Sequence, residues 1–171
     1  MTDSIKLIFF KLLNEDISIQ EFEAWLYNST NDLEKQLPND LYISLISFNY
    51  RQKDTLNLLY KLISDYIHQG EFEFWRIKEL LTKIVENRID FVVGIRALSN
   101  LYITIDGESV QNPLGRLLSS ELDGFPIPSE YNLWDDKVLK EKLEELNKYK
   151  VSFLIQSKEF LNELNQDEKK Q

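Results

Sequence analysis

At 171 residues, with 43% hydrophobic and 12% aromatic residues, the chain has enough apolar material to close a core without disulfide or metal staples, which excludes a disordered protein. Twenty Lys and Arg stand against 29 Asp and Glu, and the net charge of −9 argues against a phosphate-neutralising binder of DNA or RNA. The absence of cysteine excludes disulfide frameworks, thiolate zinc sites, iron–sulfur clusters and cysteine nucleophiles, and fits a reducing compartment.

The length predicts one mainly α-helical domain over residues 1–171, a compact bundle of about six to eight helices. Its opening residues, Met1 to Lys11, hold a short apolar run without a basic leader or a small-residue cleavage site, so a cytoplasmic protein is expected. Apolar Ile5, Ile8, Phe9, Leu12 and Leu13 recur at three and four, predicting a first helix over 4–15. Ser18 and Glu21 then have the spacing of a capping box, which opens a second helix from Ile19 to about Tyr27. Asp32 to Gln36 forms a short helix ended by Pro38, and Asn39 caps a fourth over 40–49.

Leu56, Leu59, Tyr60, Ile63, Tyr66 and Ile67 share one face and predict a helix over 54–67. His68-Gln69-Gly70 is expected to end it, with the next helix running from Glu71 to Glu86. Asp90 to Leu101 then carries so little polar surface that it should cross the centre of the domain. An internal echo relates 9–25 to 59–75 at an offset of 50, matching Lys11/Lys61, Leu12/Leu62, Ile17/Ile67, Glu21/Glu71, Phe22/Phe72, Glu23/Glu73 and Trp25/Trp75. It is either a duplicated helical hairpin or the common pattern of two amphipathic hairpins. Acids at these helix starts suit the dipole better than they suit catalysis.

Beyond Leu101 the rhythm changes to alternation around Asp106-Gly107, a pair suited to a primed turn, so a short hairpin near 102–110 is expected. Pro113 to Leu118 can add one helical turn, and Pro126 and Pro128 forbid a helix across 122–134, which is expected to be an ordered, aromatic-rich connection. A last helix begins at Asp135 and follows the seam Leu139, Leu143, Leu146, Phe153, Phe160 and Leu164. Lys150 and Ser157 interrupt that seam, so the helix bends near 149–151 or leaves part of itself exposed. Self-pairing of the seam and closure of the core are both open, which leaves the oligomeric state open too. Residues 165–171 are expected to fray.

The chemistry of sites is sparse. His68 is the only histidine, which excludes a two-histidine metal site in one chain and is most simply a helix-end residue. Five scattered glycines form no phosphate loop. Acids for a carboxylate hydrolase exist in Asp106, Glu108, Asp123, Glu130, Asp135 and Asp136, yet no spacing among them selects an acid and a base, and the calcium-loop pattern is absent. No catalytic residue, metal or cofactor is therefore assigned. No apolar run approaches the roughly 20 residues of a membrane span. The same six acids, joined by Phe125, Tyr131 and Trp134, are instead expected to form a surface for a basic protein partner, the aromatics serving either as anchors or as core beneath the loop.

Phe125-Pro126-Ile127-Pro128-Ser129-Glu130-Tyr131-Asn132-Leu133-Trp134, Glu21-Phe22-Glu23-Ala24-Trp25-Leu26-Tyr27 and Leu45-Ile46-Ser47-Phe48-Asn49-Tyr50 together resemble a family of small acidic bacterial immunity proteins of polymorphic toxin and contact-dependent inhibition systems. The resemblance implies an inhibitor, without a reaction of its own, that binds one cognate toxin domain, commonly a nuclease. A basic nuclease domain would be drawn to an acidic surface by steered association. The alternative is a helical adaptor that docks partners on its two Glu-Phe-Glu-x-Trp hairpins.

Overall fold

A computed structural model describes residues 1–105, 108–111 and 124–168. The fold is mainly α, with eight α-helices, one 3-10 helix and one two-stranded hairpin among the described residues. The chain forms two compact units, Met1–Phe72 and Glu73–Gln171.

The first unit holds α1 (Asp3–Leu13), α2 (Ile19–Asn28), α3 (Thr30–Gln36), α4 (Asn39–Ile46) and α5 (Thr55–Ser64). Each helix packs on the next in chain order and α5 returns to α1, so the five close into a ring. Phe9, Leu12, Phe22, Leu26, Leu41 and Leu59 fill its interior with no exposed surface. Burial of a side chain of this size stabilises by roughly 1.5–3 kcal/mol. The capping box forms as the spacing predicts: the Glu21 amide donates to Ser18 Oγ at 3.2 Å and the Ser18 amide donates to Glu21 Oε2 at 2.7 Å.

Two predicted boundaries move. Helix α5 stops at Ser64 rather than Ile67, and α6 (Gln69–Val85) starts two residues before the expected Glu71. Gly70 therefore lies inside the first turn of α6 instead of ending α5. A glycine marks a helix end when the chain needs a left-handed residue there. Here the His68 carbonyl already accepts from the Phe72 amide at 3.2 Å, so the turn is made earlier, by 65–68. Asn39 is the first residue of α4 rather than its cap, a place taken by Pro38.

The second unit contains most of α6, then α7 (Phe91–Ser99), whose N-terminus Asp90 caps by accepting from the Val92 and Val93 amides at 3.0 and 3.1 Å. As expected, α7 is the most enclosed helix of this unit, with Phe91, Val92, Ile95 and Leu98 in a core shared with Leu81, Ile84, Phe125, Leu146 and Phe153. Strands β1 (Tyr102–Ile105) and β2 (Glu108–Gln111) pair antiparallel with Ile105 opposite Glu108, which is the hairpin register expected around Asp106-Gly107. The helical turn expected over 113–118 lies outside the described residues. The expectation of no helix across 122–134 is corrected: Pro128 opens a 3-10 helix, Pro128–Leu133, because proline fits the first helical position, where no amide is needed. The final helix, α8 (Asp136–Glu168), is unbroken and extends four residues into the segment expected to fray.

The 50-residue echo has structural counterparts. Both copies are helix, turn, helix, and α2 and α6 begin at Ile19 and Gln69. Their joints differ, however. Glu15 takes a left-handed conformation (φ 59°), while its counterpart Asp65 is right-handed (φ −71°). The joint after α1 matches the one after α6 instead. In both, a left-handed residue (Glu15, Asn87) follows the helix, and the next amide donates five residues back, Asp16 to Lys11 and Arg88 to Lys83. An isoleucine and a side-chain cap, Ile17-Ser18 and Ile89-Asp90, then start the next helix.

Candidate functional site

The segment expected to form a partner surface is held at both ends. The Arg96 guanidinium donates to the Phe125 carbonyl at 3.0 Å, which fastens the start of the segment to α7. The Phe125 ring is 3% exposed, packs edge-on against Tyr149 with centroids 6.3 Å apart, and has Lys142 Nζ 5.1 Å from its centroid. Phe125 is therefore a core residue and not a surface anchor. Of the two readings left open for it, anchor or core beneath the loop, Phe125 takes the second, because side chains distant in sequence, Tyr149 among them, cover it.

Glu130 accepts from the Ile127 amide at 3.3 Å while its own amide donates to the Ile127 carbonyl at 2.8 Å, so its carboxylate organises the 3-10 helix. Asp135 caps α8, accepting from the Lys137 and Val138 amides at 3.0 and 3.2 Å, and Asp136 lies exposed in the first turn of α8. Glu130 and Asp135 thus organise the local backbone of the segment as well as making it acidic. Tyr131 and Trp134 are half-buried. The Tyr131 hydroxyl titrates above its ordinary range, chiefly because of burial, with the charge of Asp90 adding to it. Glu108 is on β2, and Asp106 and Asp123 lie outside the described residues. No group of three or more His, Cys, Asp or Glu side chains able to hold a metal occurs among the described residues.

A second acidic region was missed by reading motifs alone. From Leu12 to Glu34 the chain has no Lys or Arg, yet it carries Glu15, Asp16, Glu21, Glu23, Asp32 and Glu34. The same is true from Leu117 to Asp136, which carries Glu121, Asp123, Glu130, Asp135 and Asp136. One such stretch falls in each compact unit. A count of cations along the chain, rather than of acids, is the signal that finds both.

No protein-family model, curated protein or solved structure matches the chain. The physical surface therefore has to carry the functional argument.

In the first unit the acidic stretch rests on an aromatic base. Phe22 lies 6.0 Å from Phe9, 5.5 Å from Trp25 and 6.3 Å from Tyr50, and Phe48 lies 5.1 Å from Tyr50, measured between ring centroids. Tyr27 is 47% exposed, and its hydroxyl donates to the Ile46 carbonyl at 3.2 Å. Two of the three segments behind the family resemblance, 21–27 and 45–50, thus meet in one cluster. The Tyr50 hydroxyl, buried and donating to the Leu45 carbonyl at 2.8 Å, is pushed far above its normal titration range by burial first, then by Tyr27 and Glu23. Glu21 titrates below the usual carboxylate range because the Ser18 amide and hydroxyl both donate to it.

Proposed function

We propose that this chain is an acidic binding protein without catalytic activity, which neutralises a basic protein domain of the nuclease-toxin kind in the cytoplasm. The observation that carries this reading is the pair of cation-free acidic stretches, 12–34 and 117–136, around aromatic and apolar side chains. Charge of one sign gathered without counter-charge raises the rate of encounter with a partner of opposite sign and discriminates against acidic partners. The resemblance to immunity proteins supplies the toxin as the specific partner. The adaptor alternative would use the exposed Tyr27 and Phe74 of the two Glu-Phe-Glu-x-Trp hairpins, since Phe22 and Phe72 are core residues.

Glu15 and Glu34 are exposed and cap no helix, which makes them suitable for reversal. The partner retained from the native source by the tagged chain is identified by mass spectrometry, purified, and its association rate measured at about 50 and 200 mM salt. A basic partner is expected, with an association rate that falls about tenfold or more for the Glu15→Lys, Glu34→Lys double variant at low salt and much less at high salt. An acidic partner, or a rate indifferent to the reversal and to salt, would sink the reading.

A further inference from the structure

We infer that α8 pairs antiparallel with α8 of a second copy of this chain, through the side of the helix that faces away from the core. Leu146, Phe153 and Ser157 are buried on its inner side. At about 100° per residue, Val151 and Ile155, two positions to either side of Phe153, fall on the opposite side. They are 61% and 54% exposed. Scattered exposed apolar side chains are ordinary. These two stand one turn apart on an unbroken helix of 33 residues, and both are β-branched, a shape disfavoured in a helix unless packing offsets it.

The charges around them select the occupant. Glu144, Asn147, Lys148, Lys158, Glu159 and Asn162 line the same side and are exposed. None of the four charged residues is held in an ion pair among the described residues. A two-fold dimer sets one patch against itself. With the axis level with Phe153, Val151 of each copy meets Ile155 of the other, and Glu144 comes level with Asn162. An antiparallel pair also brings each flank of the helix against the same flank of its mate. Lys148 and Glu159 share one flank and so meet across the pair, twice by symmetry, while Lys158 on the other flank meets Asn147. No like charges are opposed over 144–162. Lys137, Lys140 and Glu141, exposed further back, come level with 165–169, whose side chains lie outside the described residues. A parallel pair would instead set Glu144 on Glu144 in line with the apolar contact. Such self-complementarity is what an isologous contact requires and what a foreign partner has no need of. The matched stretch is about 28 Å long, and with two apolar side chains from each copy it belongs to the small, transient class of interface.

Sedimentation equilibrium of the full chain over about 5–500 µM, at about 150 mM salt to screen the net charge of −9 on each copy, tests the pairing. A monomer–dimer equilibrium with a Kd of about 10–100 µM is expected. Val151→Glu with Ile155→Glu should weaken it about tenfold or more. Val138→Glu, at an exposed position off this side of α8, should dimerise as the native chain does, with circular dichroism confirming that the variants fold. Lys148→Glu and Glu159→Lys should each weaken the dimer about threefold or more, and the two together should restore it. Glu159→Lys is the sharper of the pair, because it reduces the net negative charge and general repulsion alone would make its dimer tighter. A chain that stays monomeric to about 500 µM, a dimer indifferent to the changes at Val151 and Ile155, or a double swap that recovers no affinity overturns the proposal.

Discussion

A non-glycine residue in the left-handed region carries a steric cost of roughly 1–2 kcal/mol, and Glu15 (φ 59°) bears it to let the chain leave α1. Glu15→Gly is therefore expected to be about 1 kcal/mol more stable in chemical denaturation than Glu15→Gln, which loses the same charge but keeps the steric cost. Asn87→Gly should gain less, since Asn tolerates φ 57° better than Glu does. The two helical glycines make opposite predictions. A Cβ at Gly70 would meet only the His68 ring, at 3.2 Å, so Gly70→Ala is expected to be tolerated or to add a few tenths of a kcal/mol, up to about 1 kcal/mol, through helix propensity. A Cβ at Gly94 would fall 2.6 Å from Ile84 Cγ1, where α7 passes α6, and Gly94→Ala is expected to destabilise by about 1–3 kcal/mol. Thermal melts of the two variants should move apart. The cost at Gly94 was not legible in the sequence because the deciding distance belongs to another helix.

The Tyr66 hydroxyl donates to Asp40 Oδ2 at 2.5 Å, which fastens the turn after α5 to the first turn of α4. The Tyr66 hydroxyl holds the Asp40 carboxyl below its usual range, helped by the Leu41 amide, and Asp40 in turn raises Tyr66. The signs follow from linkage. A lowered carboxyl contributes stability above its unfolded value that is lost as pH falls through the lowered one, and a raised phenol contributes stability that is lost as pH rises through the raised value. Tyr66→Phe should remove both effects, and nuclear magnetic resonance titration should show the Asp40 carboxyl returning upward toward its ordinary range. An Asp40 titration that ignores Tyr66→Phe would contradict the tie. The Ser18–Glu21 cap was legible from spacing alone, since a cap is made within four residues, whereas Asn39 proved to be a helical residue behind Pro38. The ends of α5 and α6 were not, because an apolar face at 63, 66 and 67 continues past Ser64 although the backbone has left the helix. Ile67 is still buried, 8% exposed, in the turn.

Across the chain, helices and hairpin were readable because periodicity is local, whereas the candidate surface was only half readable. Glu130, Asp135 and Asp136 were weighed as surface acids, but Phe125 went to the core and the stretch over 12–34 was overlooked, since only Glu21 and Glu23 in it were weighed, as helix-start residues. That view suits Glu21, whereas Glu15 follows the C-terminus of α1, the end where a helix dipole disfavours an acid. Uncompensated charge at such a position costs stability, most at low ionic strength, through repulsion within the net −9. The Glu15→Lys, Glu34→Lys double variant should therefore melt higher than the native chain at about 20 mM salt, with the difference fading above about 300 mM. If the same variant also associates more slowly with the partner, stability and encounter rate pull in opposite directions at these residues. A surface selected only for folding would have no reason to keep an acid that weakens the fold. A variant that melts no higher at low salt would remove that argument and return these acids to the status of solvated surface.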